Sequence, residues 1–453
     1  MFPMRQSSKF RIFVWAAVGV FSLIGGCSKS TRAILADGAT MPDASVSGSG
    51  GVATGGVGGS APDATDSGHI ADGTGGAGAV ATGGVSGGGG STGTTTVPLG
   101  IFTPAGNMVL ARERHTATLL GNGKVFIAGG YGRPSGIGGE VGLSDTELYD
   151  PVSRTFTPAG TMTVTRAEHT ATLLGNGKVL LAGGYSGPSS TGSFSSSSSA
   201  ELYDPATGTF TAAKSMTTVR SGHTATLLND GKVLLVGSYY TTTQGSDLYD
   251  PVTGIFSPTG RMTTTMRSGH TSTLLSSGKV LVVGGVDHDY LASAELYDPT
   301  TATFAVTGSL ATPRAYHTAT LLPNGNVLIA GGLETSKTTD ASPHRGVFPP
   351  NAEIFDPQTG TFTLASYSPL VKRLQATATL LPNGMILIAA GQGEDTWPTS
   401  SDLYDPTTGT FSLTGGLSTG RYAHTATGLP SGQVLIAGGD NASLPLASAE
   451  IYE

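Results

Sequence analysis

The sequence predicts an all-β fold built from seven similar sheets, and two observations support this prediction. First, the segment His-Thr-Ala-Thr-Leu-Leu, or a near copy, recurs through the last three quarters of the 453 residues at intervals of 47 to 59 residues. Second, every copy contains short apolar and β-branched runs bounded by turn residues. A repeat of this size is one supersecondary unit that must stack on its neighbours to bury its apolar face. The copies begin at His115, His169, His223, His270, His317, Ala376 and His424.

Each copy divides into four predicted strands, a to d. Strand a is the alternating His-Thr-Ala-Thr-Leu-Leu run, strand b is an apolar run that ends in Gly-Gly, strand c contains Glu-Leu-Tyr, and strand d contains Thr-Phe-Thr or a variant. Pairs such as Asn176-Gly177 predict a tight a–b turn, because glycine readily adopts positive φ angles. The pattern Asp-Pro-x-x-Gly, as at 204–208, predicts the c–d turn. Every copy is therefore expected to form an antiparallel four-stranded meander.

At these residues the chain resembles the kelch repeat, which forms one blade of a β-propeller. The shared features are Arg-x-x-His before strand a, Gly-Gly after strand b, a tyrosine in strand c and an aromatic residue in strand d. The resemblance extends from about residue 100 to the end, and it implies a seven-bladed β-propeller of four-stranded antiparallel blades. Phenylalanine replaces the usual tryptophan of strand d. The third copy has Gly237-Ser238, and the sixth has Ala390-Gly391 and lacks the histidine.

The two ends of the repeat region predict how the ring closes. Residues 100–103 form a strand d with no strand a, b or c before it, and residues 449–452 form a strand c with no strand d after it. We therefore expect Ile101–Pro104 to supply the outer strand of the seventh blade, so that the last blade is closed by the N-terminal strand. Closure of this kind leaves only short, protected sheet edges.

The first 97 residues predict export and a tether. Residues 1–26 begin with basic residues and continue with an apolar run, 12–24, that is short for a bilayer span, as in a secretory signal peptide. The segment ends Leu-Ile-Gly-Gly before Cys27, which resembles a bacterial lipobox and implies lipidation of Cys27. By the same resemblance, Ser28 favours the outer membrane or cell surface. The alternative is a chance cysteine beside an ordinary cleavage site.

Residues 27–97, with the lipidated cysteine at their start, are rich in Gly, Ser, Thr and Ala, and they predict a disordered linker before a propeller that spans 98–453. Asp63, Asp66 and Asp72 lack the regular spacing and the terminal glutamate of a calcium loop, and we interpret them as solvated linker acids.

Composition limits the partners and the cofactors. Charged residues make up only 12% of the chain and the net charge is −7, which argues against nucleic acid as a partner. Cys27 is the single cysteine, so no intramolecular disulfide can form. We expect a monomer that needs no metal and no cofactor.

Two sets of residues recur once per copy and predict structural roles. The six histidines are spread around the ring by its symmetry, whereas a metal or catalytic site needs unlike groups to converge. One arginine and one strand-c acid per copy predict a repeated ion pair that fixes the d–a loop, although a ligand-binding ring of arginines is an alternative. The arginines are Arg112, Arg166, Arg220, Arg267, Arg314, Arg373 and Arg421, and the acids are Glu147, Glu201, Asp247, Glu295, Glu353, Asp402 and Glu450.

The b–c loops are the predicted binding surface, because almost all of the length variation lies there and loops on a rigid scaffold usually carry binding residues. Aromatic side chains beside acids and amides suit sugar stacking, hydroxyl recognition or a protein partner. The alternative is that they are merely exposed loop residues. The candidates are Asp287, His288, Asp289, Tyr290, Glu394, Asp395, Trp397, Asp440 and Asn441, with Glu334, His344 and Arg345 in the same loops.

The resemblance leaves two functional classes open. Some kelch propellers are enzymes, notably galactose oxidase and sialic-acid mutarotase. The galactose oxidase cofactor requires a tyrosine crosslinked to a cysteine near copper, and the predicted ring has no cysteine. No Gly-x-Ser-x-Gly, His-Glu-x-x-His or phosphate-loop motif occurs. The sequence therefore predicts a non-enzymatic binding module anchored to a membrane, with a carbohydrate-active enzyme at the same face as the alternative.

Overall fold

The computed structural model describes residues 100–453 apart from 135–139, 187–194, 240–244, 265, 336–345, 370 and 395. These described residues are all-β and contain no helix. Consequently, none of them belongs to a helix long and apolar enough to span a membrane. The predicted signal peptide, Cys27 and the linker lie outside the described residues, as do His344, Arg345 and Asp395.

The thirty-six strands are numbered β1 to β36 along the chain. Strand a is β2 (Thr116–Leu119), β8 (Thr170–Leu173), β14 (Thr224–Leu227), β18 (Thr271–Leu274), β24 (Thr318–Leu321), β30 (Thr377–Leu380) and β34 (Thr425–Gly428). Strand b is β3 (Val125–Ala128), β9 (Val179–Ala182), β15 (Val233–Val236), β19 (Val280–Val283), β25 (Val327–Ala330), β31 (Ile386–Ala389) and β35 (Val434–Ala437).

Strand c is β6 (Asp145–Asp150), β12 (Ala200–Asp204), β16 (Gly245–Asp250), β22 (Ala294–Asp298), β28 (Glu353–Asp356), β32 (Ser401–Asp405) and β36 (Ser448–Tyr452). Strand d is β7 (Thr155–Thr161), β13 (Thr209–Ala212), β17 (Ile255–Arg261), β23 (Thr303–Val306), β29 (Thr361–Leu364), β33 (Thr410–Thr414) and β1 (Phe102–Asn107). Four b–c loops carry small hairpins, which are β4 (Tyr131–Gly132) with β5 (Val141–Gly142), β10 (Tyr185–Ser186) with β11 (Ser195–Ser196), β20 (Val286–Asp287) with β21 (Asp289–Tyr290), and β26 (Glu334–Thr335) with β27 (Gly346–Val347).

Each set of strands a, b, c and d forms one antiparallel four-stranded sheet, which is one blade. Blade 1 is β2-β3-β6-β7, and the following blades repeat this order along the chain. The strand-a members of successive blades contact each other in sequence, and β34 of blade 7 contacts β2 of blade 1. The structure thus confirms the prediction of a seven-bladed β-propeller, with strand a lining the central channel.

The seventh blade is closed by the N-terminal strand, as the sequence predicts. Its order is β1-β36-β35-β34, and in the β1–β36 pair Phe102 lies opposite Tyr452 while Thr103 lies opposite Ile451. The backbone of Ile101 also exchanges two hydrogen bonds with Glu453, at 3.2 and 3.0 Å. Because the two ends of the propeller share one ladder, the ring is held shut by main-chain hydrogen bonds.

The core consists of seven apolar layers, each between two neighbouring blades. Every described residue of strand b is buried in every blade, because each sheet is covered by a neighbour on both faces. At the closing junction, Ile127 and Tyr149 of blade 1 pack with Leu435 and Ile451 of blade 7. Within each blade, the strand-c aromatic ring contacts the strand-d phenylalanine, as in Tyr203 and Phe210 at a centroid distance of 5.0 Å.

The turns follow the predicted chemistry with one refinement. Gly177 has φ of 82° and Gly208 has φ of 70°, so glycine takes the left-handed position in both kinds of turn. In the a–b turn only the glycine has positive φ. The preceding Asn176 instead accepts a hydrogen bond from the Lys178 N–H through its side-chain oxygen, at 3.1 Å. The a–b and c–d turns lie on one face of the ring, and the b–c and d–a loops lie on the other.

The role of β1 can be tested by removing it. We expect a variant that begins at residue 108 to lose at least about 3 kcal/mol of unfolding free energy relative to one that begins at residue 97, since it lacks a whole edge ladder and its packing. A synthetic peptide of residues 97–107 should restore the melting temperature measured by circular dichroism. The same peptide with Phe102→Asp should not. Equal melting temperatures for the two variants would contradict closure by β1.

Candidate functional site

Each blade junction is built around one buried arginine. In blade 2, Arg166 Nη2 lies 3.0 Å from Glu201 Oε1, and its Nη1 donates to the carbonyl of Gly183 at 2.9 Å. Glu201 also accepts the backbone N–H of Thr163 in the d–a loop, at 2.8 Å. Burial lowers the pKa of Arg166, and the hydrogen-bonded carboxylate of Glu201 opposes that shift. The pair therefore ties the d–a loop to strands b and c of its own blade.

The same pair occurs in all seven blades, and every one of the fourteen side chains is nearly or fully buried. The nitrogen–oxygen distances are Arg112–Glu147 2.7 Å, Arg166–Glu201 3.0 Å, Arg220–Asp247 2.9 Å, Arg267–Glu295 3.0 Å, Arg314–Glu353 2.8 Å, Arg373–Asp402 3.1 Å and Arg421–Glu450 2.8 Å. These arginines are turned into the blades, away from any shared ligand position.

The backbone of each arginine also joins its blade to the preceding one. The second residue of every Gly-Gly pair donates its N–H to the arginine carbonyl of the next blade, as Gly130 does to Arg166 at 2.7 Å. At the closing junction Gly439 donates to Arg112 at 2.9 Å, and in the third blade Ser238 donates to Arg267 at 3.0 Å. The first glycine must be small, because a Cβ on Gly129 would lie 2.3 Å from the Arg166 carbonyl oxygen.

The histidines connect the strand-a members of neighbouring blades. His169 Nε2 is hydrogen-bonded to Thr116 Oγ1 of the preceding blade at 3.0 Å. Six junctions have this clamp, and the other five are His115–Thr425, His223–Thr170, His270–Thr224, His317–Thr271 and His424–Thr377, at 2.9 to 3.1 Å. Burial, followed by the charge of Arg166, lowers the pKa of His169 to about 3. Its contribution to stability is therefore complete above the unfolded pKa of about 6.5 and is lost as the pH falls towards 3.

The junction between blades 5 and 6 lacks the clamp, because Ala376 stands where the other blades have histidine. Thr318 Oγ1 instead donates to Ala330 O of its own blade at 3.3 Å. A cavity of about 10 Å³ lies beside this position and is lined by residues that include Gly331, Ala376 and Ile388. Ala390, which replaces the first glycine of the sixth blade, adopts φ of 54°.

The third residue of each Arg-x-x-His motif lies where the chain enters strand a, at the end of the channel on the b–c face. We call these seven residues the mouth ring. All seven have positive φ, between 50° and 60°, although only two are glycine. Five pairs of consecutive members are joined by backbone hydrogen bonds, as from Glu168 N to Arg114 O at 3.2 Å and from Tyr316 N to Gly269 O at 2.8 Å. The mouth ring is Arg114, Glu168, Gly222, Gly269, Tyr316, Gln375 and Ala423.

Two tyrosines cover the glycine half of the mouth ring. The ring of Tyr239 lies directly on Gly222, where an added Cβ would be 1.8 Å from Tyr239 Cε2. Tyr316 lies on Gly269 in the same way, with 2.9 Å to Tyr316 Cε1. The side chains of Tyr239 and Tyr316 are hydrogen-bonded, and burial raises the pKa of Tyr239. The two glycines are therefore required by the aromatic side chains above them.

Two neighbouring members of the mouth ring, Arg114 and Glu168, are charged. Arg114 forms an ion pair with Glu168, and its Nε lies 3.9 Å from Glu113 Oε2. Burial alone would lower the pKa of Arg114, but Glu168 and Glu113 raise it overall. Burial raises the pKa of Glu113 to about 7, and Arg114 opposes this shift only in part. Aromatic, cationic and anionic side chains therefore lie close together at the mouth ring.

The predicted loop residues of blade 4 divide between the surface and the interior. Asp287 is mostly buried, and its Oδ2 accepts the Met266 N–H at 3.5 Å. His288 is 84% exposed at its side chain and has φ of 59°, and Asp289 is also exposed. Tyr290 is half-buried, and burial followed by the neighbouring Tyr316 raises its pKa to about 12. Tyr290 is therefore the residue of this loop that approaches the mouth ring.

The remaining predicted residues lie in blades 6 and 7. Glu394 is exposed, and Trp397 is half-buried with its backbone against Gly420. Asp440 is 6% exposed and is hydrogen-bonded to the side chain of Tyr422. Asn441 accepts hydrogen bonds from the N–H groups of Ser443 and Leu444, at 3.1 and 3.2 Å, and so shapes its own turn. Since these loops and that of blade 4 occupy different sectors of the ring, the candidates do not form one cluster.

The mouth ring and the residues that follow the Gly-Gly position were not among the site residues predicted from the sequence. Glu113, Arg114 and Glu168 lie inside the Arg-x-x-His motif, for which only the arginine and the histidine had predicted roles. Tyr131 directly follows Gly129-Gly130 and Tyr239 directly follows Gly237-Ser238, and both pair with the d–a loops. A usable signal existed, because the two middle positions of the motif differ between copies while the flanking arginine and histidine recur.

Comparisons with known proteins agree with this architecture. The family model of the kelch motif matches residues 114–163 and 266–310, which lie in blades 1 and 4. No curated protein matches the chain. Among solved structures, the chain is similar to a fungal alcohol oxidase of the AA5 family in complex with copper, with a TM-score of 0.61 and 17% sequence identity over 78% of this chain and 76% of that one. At this identity the similarity shows the fold alone. The chain is a seven-bladed β-propeller that carries kelch motifs.

Restoring the missing clamp should stabilise the ring. We expect Ala376→His to raise the unfolding free energy by about 1 kcal/mol, because the new imidazole would fill the cavity and bond Thr318 as in the other junctions. Chemical denaturation measures the gain. In a Thr318→Val background the gain should shrink markedly, since the hydroxyl partner is absent. An equal gain in both backgrounds would mean that the imidazole only fills space.

Proposed function

We propose that this protein is a non-enzymatic binding module whose ligand surface is the b–c face around the mouth ring. The observation that carries the proposal is the positive φ of five non-glycine residues at consecutive positions around one channel end. Left-handed backbone costs a non-glycine residue roughly 1–2 kcal/mol, and such strain clusters at ligand-binding and active sites. Glycine at this position avoids the cost, as Gly222 and Gly269 do.

The chemistry of the surface fits a carbohydrate or a protein partner. Tyrosine rings offer flat apolar area with a polar edge, and the Arg114–Glu168 pair offers a donor and an acceptor for hydroxyl or amide groups. Tyr239 and Tyr316 cover Gly222 and Gly269 of the mouth ring, so a ligand there would lie on top of them. Such a shallow surface is more typical of binding than of catalysis, which usually uses a concave site.

We also propose that the propeller is exported and held at a membrane by lipid on Cys27. This rests on the sequence alone, namely the basic and apolar start of the chain and the lipobox-like Leu-Ile-Gly-Gly-Cys27. A linker of roughly 70 residues would give the propeller an r.m.s. reach of about 45 Å from its anchor.

Mass spectrometry of the mature protein tests the anchor. We expect an N-terminal peptide that begins at Cys27 and carries a lipid mass, and we expect Cys27→Ser to release the protein from the membrane fraction. A mature chain that begins elsewhere, or one without lipid, would contradict the proposal.

A carbohydrate-active enzyme at the same face is the second candidate. A mutarotase-like site needs one glutamate and one arginine over the channel, and the Glu168–Arg114 pair is such a combination. An oxidase with a copper centre like that of galactose oxidase does not fit. The ring has no cysteine for the crosslink, and the six motif histidines are buried in the blade junctions. Conversion of any sugar by the purified protein, abolished by Glu168→Gln, would replace the binding proposal with this one.

The binding surface can be tested with one matched pair of variants. A glycan array and a protein array probed with the purified chain should identify a ligand. Tyr316→Gly should then weaken that ligand by about tenfold or more, because it removes an aromatic contact. The fold should persist, since glycine stands at the same position in blades 3 and 4. Ala423→Gly, which removes only a methyl group from the mouth ring, is the control and should keep its affinity. Equal affinity for both variants would exclude the mouth ring as the ligand surface.

A further inference from the structure

Three carboxylates meet at the junction between the first and the last blade. Glu113 lies in the d–a loop of blade 1, Glu140 in the b–c loop of blade 1, and Asp440 in the b–c loop of blade 7. One oxygen from each lies within 4.8 Å of the other two. The three residues thus come from both ends of the propeller and converge at the junction that closes the ring.

The interior carboxylate of this group has an oxygen without a hydrogen-bond partner. Glu113 is 7% exposed, and its Oε2 is buried with no hydrogen bond from any residue that the structure describes. The closest cationic atom is Nε of Arg114, at 3.9 Å, which is beyond hydrogen-bond range. A buried carboxylate oxygen in this condition carries a large desolvation cost, and a ligand would offset it.

The charges around the group do not balance. Arg133 pairs with Glu140 at 3.0 Å, and Arg114 pairs with Glu168. Glu113 and Asp440 have no cation of their own at hydrogen-bond distance among the described side chains, and Asp440 is 6% exposed. With both carboxyl groups ionised, the local excess is two negative charges in a site of low dielectric, where like charges repel strongly.

We propose that Glu113, Glu140 and Asp440 bind one divalent cation, with Ca²⁺ as the best match, and that this ion joins blade 7 to blade 1. All three donors are oxygen atoms, which hard cations prefer. Calcium binds oxygens at about 2.3–2.6 Å, so oxygens on opposite sides of one ion are about 4.6–5.2 Å apart, which accommodates the observed group. Calcium also tolerates irregular coordination, as expected for ligands from three separate loops.

The ion would act where blade 7 meets blade 1, and blade 7 is the one blade whose four strands are not continuous in the chain. Strand d of blade 7 is β1, which leads directly into β2 of blade 1, but β1 is joined to β36 of its own blade by hydrogen bonds and not by a turn. The inter-blade backbone bonds, an apolar layer and the His115–Thr425 clamp also join blades 7 and 1. A cation held from both sides would add a further link on the b–c face. The site borders the proposed ligand surface, since Glu113 is next to Arg114 of the mouth ring, but the three carboxylates carry the cation proposal without it.

The experiment uses the purified full-length chain after removal of metals with EDTA. Calcium should bind in isothermal titration calorimetry and should raise the melting temperature by about 3 °C at saturation, because binding to the folded state alone stabilises it. Terbium should show luminescence on tyrosine excitation, since Tyr422 is hydrogen-bonded to the Asp440 side chain.

Glu113→Gln and Asp440→Asn should each weaken calcium roughly tenfold or more by removing a charged ligand. Glu140→Gln gives a second test if a buried variant fails to fold, since the Glu140 side chain is 35% exposed. Asp230→Asn is the control and should bind calcium normally, because it lies in an a–b turn on the opposite face, where four other blades have asparagine. Absence of binding by Ca²⁺ and Tb³⁺, or binding that all of these variants retain, would overturn the proposal.

Discussion

The buried arginine of each blade is the residue on which the rest of the propeller depends. Its guanidinium joins the d–a loop to strands b and c of its own blade, and its carbonyl accepts a hydrogen bond from the preceding blade. A buried charge is tolerated only when its hydrogen bonds are satisfied, and removal of one partner from such a pair costs about 3–5 kcal/mol. Each arginine therefore fixes the position of one blade relative to the next, and seven of them close the circle.

The repeated frame leaves other positions free to differ. Because the arginine, the paired acid and the glycine pair define each junction, the side chains of the two residues between arginine and histidine are free to differ, although the second residue keeps a positive φ in every blade. The second of the two forms the mouth ring, whose members include arginine, glutamate, tyrosine and glycine. The residues of the mouth ring can therefore differ between blades while the junction residues recur. The proposed binding role rests on this difference.

Two junctions depart from the symmetry of the ring. One lies between blades 5 and 6, and the other lies between blades 7 and 1. The first lacks a histidine, and Thr318 turns back to its own blade. The second brings the two ends of the propeller together, and it also gathers three carboxylates from loops far apart in sequence. The changed hydrogen bond of Thr318 and the group of three carboxylates therefore both occur where the repeat pattern is interrupted.

The sequence by itself determined the number of blades, the strand order, the turns and the closure by β1. The repeat period, the alternation of apolar residues and the turn residues are local properties that every copy repeats. The sequence alone is therefore enough to recognise them. The one-to-one count of arginines and acids also pointed to the observed pairs. The sequence did not indicate which loop residues meet, and the binding residues that it predicted in blades 4, 6 and 7 lie in different sectors of the ring.

Only the tertiary structure decided the mouth ring and the carboxylate group. Glu113 and Asp440 are more than three hundred positions apart, and their proximity exists only after the ring has closed. The left-handed backbone of Arg114 and Tyr316 likewise has no local sequence signal, because neither residue favours it. Every copy adopts this conformation whatever residue stands there, so the folded backbone reveals it and the residue types do not.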